Sequence, residues 1–281
     1  MTRITSLANP RVAQVRDLHT TKGRKKSGLL LMEGPHLLDA LFAMEMLPQE
    51  IYYQPELLQR TPEGRALLAR LLHPSSQWTT VALFEVSEQV AKSLSDAQTS
   101  QGIIAIVAME LFHVERLLAR RPQIRRPALL ILDDLADPGN MGTMLRTALA
   151  ADVQEVLLTP RCVDYFSPKV VRAAAGAHLA LPVEVNLPWS AIAERVADHC
   201  GDAIDRVFIA EADASQTYDA ENLVQPFALI IGNEAHGPSQ EARSLAGSAI
   251  RIPLANAVES LNAAMAAGII LFEAARQLRL V

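Results

Sequence analysis

Three short stretches gather side chains that could grip and orient a polar ligand. DPGNMGTMLRTA, residues 137–148, turns sharply at Pro138 and Gly139 and offers an amide, Asn140, with a guanidinium, Arg146, six residues on. IIGNEAHGPS, residues 230–239, crowds Gly232, Asn233, Glu234, His236 and Gly237 directly after an apolar run, as a binding loop requires and a minimal turn does not. IPLANAVESLNAAMAAGI, residues 252–269, sets Glu259, Ser260 and Asn262 before a helix rich in alanine and glycine. Each also has an ordinary structural account: Asn140 and Ser260 suit helix N-caps, and the second stretch suits an Asx-rich turn.

Such loops need a frame. Downstream of residue 127, apolar strands are expected at 128–134, 155–159, 182–185, 206–211, 227–232 and 249–254, with helical stretches between most of them. Short connections of this kind predict a mainly parallel sheet covered by helices, and its ligands belong in the crevice beyond the carboxyl ends of the strands. All three loops follow such ends. Upstream, LLLMEGPHLLDALFAM reads as a strand, a turn at Gly34 and a helix, and GIIAIVAM at 102–109 as a later strand. A small α/β domain over 1–112 is therefore expected, then a proline-bearing basic linker over 113–127, then the larger domain over 128–281.

The chain of 281 residues carries a net charge of -5, which argues against indiscriminate coating of polyanions. Its distribution is uneven. Residues 1–26 hold seven basic side chains against Asp17, a local +6; residues 115–126 hold five arginines against Glu115, a local +4, so the remainder is -15. Two basic segments on an acidic body suggest local contact with phosphates. Cys162 and Cys200 lack metal or redox spacing and suit a reducing, cytoplasmic setting; the seven histidines form no ligand pattern, so no metal is expected. No apolar window is long enough to cross a membrane, and the N-terminus lacks the apolar core of a secretory signal. Neither G-x-G-x-x-G nor G-x-x-x-x-G-K is present, which counts against a nucleotide-dependent dehydrogenase or a P-loop protein.

Together and in this order, the three loops resemble the motifs of the SpoU (TrmH-like) family of RNA ribose 2'-O-methyltransferases, of the SPOUT class. Asn140 and Arg146 match the first motif; Gly232, Asn233, Glu234, Gly237 and Ser239 the second; Ile252, Pro253, Glu259, Ser260, Leu261 and Asn262 the third. ITSLANPRVAQVRDL, LMEGPHLLDA and SQGIIAIV look like the L30e-like substrate-binding domain at the front of many members, so the basic N-terminus belongs to that domain and not to a transit peptide. Departures at Ala235, Pro238, Asn256 and Ala174 bear on loop shape and choice of RNA, not on the reaction class.

The resemblance implies an α/β fold whose C-terminal, mainly parallel sheet carries a trefoil knot, with S-adenosylmethionine as methyl donor and homodimerisation through the C-terminal domain. It implies cofactor contacts from Thr159, Gly232, Asn233, Ile252, Leu254, Ser260 and Leu261, and a catalytic set of Asn140, Arg146, Glu234, Ser260 and Asn262. A guanidinium stays protonated, so Arg146 is expected to clamp the target's phosphate and polarise its 2'-hydroxyl, with Asn140 holding Arg146 or the ribose. Glu234 could instead be a structural partner of Arg146. The substrate expected is structured RNA, ribosomal favoured over transfer RNA. The alternative is an RNA-binding protein that keeps the SPOUT fold without catalysis.

Overall fold

The computed structural model describes residues 2–73, 81–121, 127–201 and 203–279; Arg125 and Arg126 of the second basic segment lie outside them. The chain divides into two compact units. One comprises residues up to Phe112 together with Phe166–Leu179, the other His113–Tyr165 with Ala180 onward.

The first unit is built on a five-stranded mixed sheet. Strands β1 (Thr2–Ile4), β2 (Leu29–Glu33), β3 (Glu50–Tyr53), β4 (Ala82–Val86) and β5 (Ile103–Ala108) lie in the order β1-β4-β3-β5-β2. Strands β1, β4 and β3 run parallel, and β5 is antiparallel to both β3 and β2. Both faces are covered, so successive residues alternate between two cores. Leu30, Met32, Ile51 and Tyr53 pack with Leu38, Leu41, Leu67 and Leu71 from helices Pro35–Ala43 and Pro62–Leu71. Leu31, Tyr52, Ile104 and Ile106 pack with Val12, Val15, Val90 and Leu94 from helices Pro10–Asp17 and Glu88–Leu94. The expected strands at Leu29–Glu33 and Ile103–Ala108 are present; β1, β3 and β4 were not foreseen.

Not all of the N-terminal positive charge is available to a ligand. Arg3 pairs with Glu85 at 3.2 Å, Arg11 pairs with Glu50, and Arg24 is buried, donating to the Leu18 carbonyl at 2.7 Å. Arg16, Lys22, Lys25 and Lys26 are exposed and have no partner among the described residues.

The second unit holds a seven-stranded sheet in which every pairing is parallel. Its strands are β6 (Ala128–Leu132), β7 (Glu155–Leu158), β8 (Val183–Glu184), β9 (Val207–Ala210), β10 (Gln216–Thr217), β11 (Phe227–Ile231) and β12 (Ser248–Arg251), in the order β10-β12-β9-β11-β6-β7-β8. Strands buried on both faces favour apolar side chains along their length, and ALLIL and FALII are buried throughout. Leu129, Ile131, Leu157, Ile209 and Ile230 meet Ile192 and Val196 of the helix Trp189–Cys200. At about 1.5–3 kcal/mol per fully buried aliphatic side chain, these contacts are what hold the sheet under its helices. All six expected strands occur, plus the two-residue edge strand β10, too short to show a pattern.

The stretch expected as a linker is helical over Val114–Arg120 and packs into this unit through Val114 and Leu117. Arg121 donates to the carbonyls of Val153 and Gln154, both at 2.9 Å, and pairs with Asp152. Among the described residues no helix is long and apolar enough to cross a membrane, and no group of His, Cys, Asp or Glu is placed to hold a metal.

Candidate active site

The site forms where β6 and β11 end side by side, in register Leu132 to Ile231. The chain leaves β6 through Asp133 and Asp134 and enters the helix Pro138–Ala150. Its N-cap is Asp137, whose carboxylate accepts from the Asn140 N–H at 2.7 Å, with Pro138 in the first turn, where its missing N–H costs nothing. Asn140 was expected to be that cap. Because Asp137 takes the role, the Asn140 side chain is left for tertiary contacts.

Those contacts join all three loops. The Asn140 amide donates to Glu234 Oε1 at 2.9 Å, and its carbonyl accepts from Asn262 Nδ2 at 2.8 Å. Asn262 Oδ1 in turn accepts from the N–H groups of Ala264 and Met265, at 2.9 and 3.2 Å, so Asn262, and not the expected Ser260, caps the helix Ala263–Leu278. At the other end Glu234 also accepts from the Ala136 and Asp137 N–H groups, each at 3.1 Å. Burial pulls its pKa upward, but the hydrogen bonds from Asn140 and from the backbone outweigh it and hold the carboxyl below its ordinary value. Among the described residues its partners are Asn140 and the backbone of the first loop, not Arg146.

A second tier of polar contacts fixes the loops beneath. Asp133, buried, accepts from the Ser239 N–H at 2.7 Å, and the Asn233 amide donates to the Asp134 carbonyl at 2.7 Å. Thr159 is buried here as well; its hydroxyl accepts from the Asp134 N–H at 2.9 Å. Its place is under the loops, and it is not among the residues lining the cavity described below. Gly232 is required by the loop's own return: a Cβ there would lie 2.3 Å from the Pro238 nitrogen. Asn256, a departure from the usual glycine, sits at φ 57°, a left-handed conformation that asparagine tolerates better than most side chains.

Above this layer opens a cavity of about 440 Å³, within the range of about 300–1,000 Å³ usual for small-molecule sites. Asn140, Glu234, Ser260 and Asn262 line it, as do Gly232, Asn233, Ile252, Leu254 and Leu261. The tertiary structure therefore gathers nine of the eleven residues singled out from sequence. The exceptions are Thr159 and Arg146. Arg146 is exposed, lies outside the wall and has no partner among the described residues; it follows Asn140 along the helix by six residues, a rise of about 9 Å. Ile231, Ile250 and Ile270 add apolar surface, so the cavity suits a flat ring with a polar tail. Glu211 and Arg251 also line it and were missed; the signal available was an acid or a base at the carboxyl end of an apolar run.

Residues 127–272 match the SpoU rRNA Methylase family, and residues 9–105 match the MRM3-like substrate binding domain. An uncharacterized tRNA/rRNA methyltransferase of Synechocystis is 36% identical over 98% of this chain and 93% of its own. The 23S rRNA (guanosine(2553)-2'-O)-methyltransferase RlmP of Bacillus subtilis is 31% identical over 97% and 98%. Among solved structures, the AdoMet-bound rRNA methyltransferase from Sinorhizobium meliloti superposes with a TM-score of 0.79 at 29% identity, covering 99% of this chain and 98% of that one.

Proposed function

Since the chain belongs to the SpoU rRNA methylase family, we propose that its cavity holds the donor against the wall formed by Asn140, Glu234, Ser260 and Asn262, and that Arg146 meets the RNA. The protein is an S-adenosylmethionine-dependent RNA methyltransferase of the SPOUT fold, acting on a ribose 2'-hydroxyl, with ribosomal RNA favoured over transfer RNA. The observation that carries the site assignment is the hydrogen-bonded chain Asn262–Asn140–Glu234, which draws three loops distant in sequence to one cavity edge. Catalysis, and not RNA binding alone, is supported by the family match and by the relatives named as methyltransferases.

Bound in the cavity, S-adenosylmethionine supplies a methyl group already activated on a sulfonium, so the chain's task is to orient the ribose oxygen in line and let its proton leave. Arg146, fixed on a helix and without a partner among the described residues, clamps the target phosphate and polarises the 2'-hydroxyl. Ser260 lies in the wall with its hydroxyl free among the described residues, able to contact donor or ribose. Glu234 does not take the proton: three N–H donors occupy its oxygens and make it a weak base. Its work is to hold Asn140 and the first loop in place.

Arg16, Lys22, Lys25 and Lys26 supply phosphate contacts, which position RNA without reading its sequence. Met265 and Phe272 stand exposed on one stripe of the helix Ala263–Leu278, spaced seven residues apart, and this face makes the homodimer contact. The trefoil knot is part of this reading of the C-terminal unit, and the cytoplasm is its setting. The testing experiment is transfer of labelled methyl from S-adenosylmethionine to unmodified ribosomal and transfer RNA fractions, followed by nucleoside mass spectrometry, with Arg146→Ala as control. A 2'-O-methylated nucleoside in the ribosomal fraction that disappears with the variant is expected; donor binding without transfer to either fraction contradicts the reading.

A further inference from the structure

The cavity wall contains two acids among the described residues, Glu234 and Glu211. They differ in what they can still accept. Glu234 is occupied by three N–H donors, whereas among the described residues the only side chain that engages Glu211 is Arg243, in an ion pair. A carboxylate offers about four lone-pair sites, so one guanidinium leaves Glu211, a residue of the cavity wall, with acceptor capacity to spare.

Its position is set by the sheet. Ala210 of β9 pairs in parallel register with Ile250 of β12, and the Glu211 N–H donates to the Ile250 carbonyl at 3.0 Å. Glu211 and Arg251 therefore follow at the carboxyl ends of neighbouring parallel strands, where ligands of open α/β sheets are held. The Arg251 side chain also has no partner among the described residues, but a guanidinium can only donate. Of the two acids on this wall, Glu211 is the one with acceptor capacity left. The Arg243 side chain is 44% exposed and that of Glu211 15%, so water screens the pair from the arginine's side and weakens its contribution to stability. Pairing alone does not account for an acid set in the wall.

Resting on the donor assignment above, we propose that Glu211 binds the ribose of S-adenosylmethionine, its carboxylate accepting from the two vicinal hydroxyls while Arg243 balances its charge. A vicinal diol offers two adjacent donors to one carboxylate, a charge-assisted pair of hydrogen bonds. Glu211 is then a binding residue that selects a ribonucleoside donor and takes no part in proton transfer.

The test is calorimetric titration of the full-length protein and its Glu211→Ala and Glu211→Gln variants with S-adenosylhomocysteine and with its 2'-deoxy and 3'-deoxy analogues. The unaltered protein should lose roughly tenfold in affinity for either deoxy analogue, as expected for a hydrogen bond to a charged group. Glu211→Ala should bind all three ligands alike and weakly, and Glu211→Gln, which keeps one carbonyl acceptor and the side-chain volume, should retain part of the discrimination. Full discrimination in both variants overturns the proposal, as does its absence in the unaltered protein. If the unaltered protein binds no S-adenosylhomocysteine at all, the donor assignment itself falls.

Discussion

Asn262 donates its side-chain amide to the carbonyl of Asn140 at 2.8 Å across 122 residues of chain, and Asn140 passes its own amide to Glu234 at 2.9 Å. One asparagine thus both caps the last helix and fixes the first loop. Motifs far apart in sequence share one hydrogen-bonded unit in which Asn140 is the link, while Glu234 and Asn262 each hold backbone N–H groups of their own besides.

Asn140→Ala and Asn262→Ala should therefore be non-additive. Their effects on donor affinity and on kcat/KM are expected to couple by about 0.5–3 kcal/mol in a double-mutant cycle. Asn262→Ala alone should also lower stability by about 1 kcal/mol through loss of the cap. Strict additivity would mean the two amides act independently.

Arg146→Ala should separate activity from folding. The side chain is exposed and without a partner among the described residues, so unfolding in urea should stay within about 0.5 kcal/mol of the unaltered protein. Methyl transfer should fall by at least about a hundredfold, the loss typical when a charge-stabilising donor is removed, and Arg146→Lys should fall between because it keeps the charge but not the bidentate fork. Turnover near that of the unaltered protein in Arg146→Ala would remove the residue from the mechanism.

The Glu234 carboxyl sits below its ordinary pKa, which fixes the sign of a pH effect. A group depressed in the folded state contributes stability that is whole above the unfolded value, about 4.3 for glutamate, and is lost as pH falls through the native value. Thermal unfolding followed downward from about pH 6 should show the unaltered protein losing stability over that acid range more steeply than Glu234→Gln. Parallel curves for the two would show that the carboxylate's charge is not what holds the loop.

Phe272→Glu, on the exposed stripe that Met265 shares, should convert a dimer to a monomer in sedimentation equilibrium with the fold intact by circular dichroism, because an ionised side chain resists burial in an apolar interface. A monomeric mass for the unaltered protein would end the dimer proposal.

Lys22, Lys25 and Lys26, changed together to glutamate, should weaken RNA binding and flatten its dependence on salt, by a slope of about 0.7–0.9 for each RNA phosphate that is no longer neutralised. An unchanged slope would place the phosphate-binding surface elsewhere.

Much of the C-terminal unit was legible in sequence because parallel strands buried on both faces are strongly apolar: ALLIL and FALII declare themselves without any tertiary knowledge. The first unit was harder, since β4 carries a partly exposed sequence, ALFEV, and β1 is three residues long. The three motifs, with their fixed order, spacing and residue types, determined the family, and with it the reaction. What they could not determine was which polar atom meets which. Asp137 displaced Asn140 as a cap, Asn262 displaced Ser260, and Thr159 went beneath the loops instead of into the cavity wall. A hydrogen bond is decided by distances of a few tenths of an ångström between groups brought together by strand register, as Leu132 with Ile231 and Ala210 with Ile250 show. That register, not local propensity, also placed Glu211 in the cavity wall.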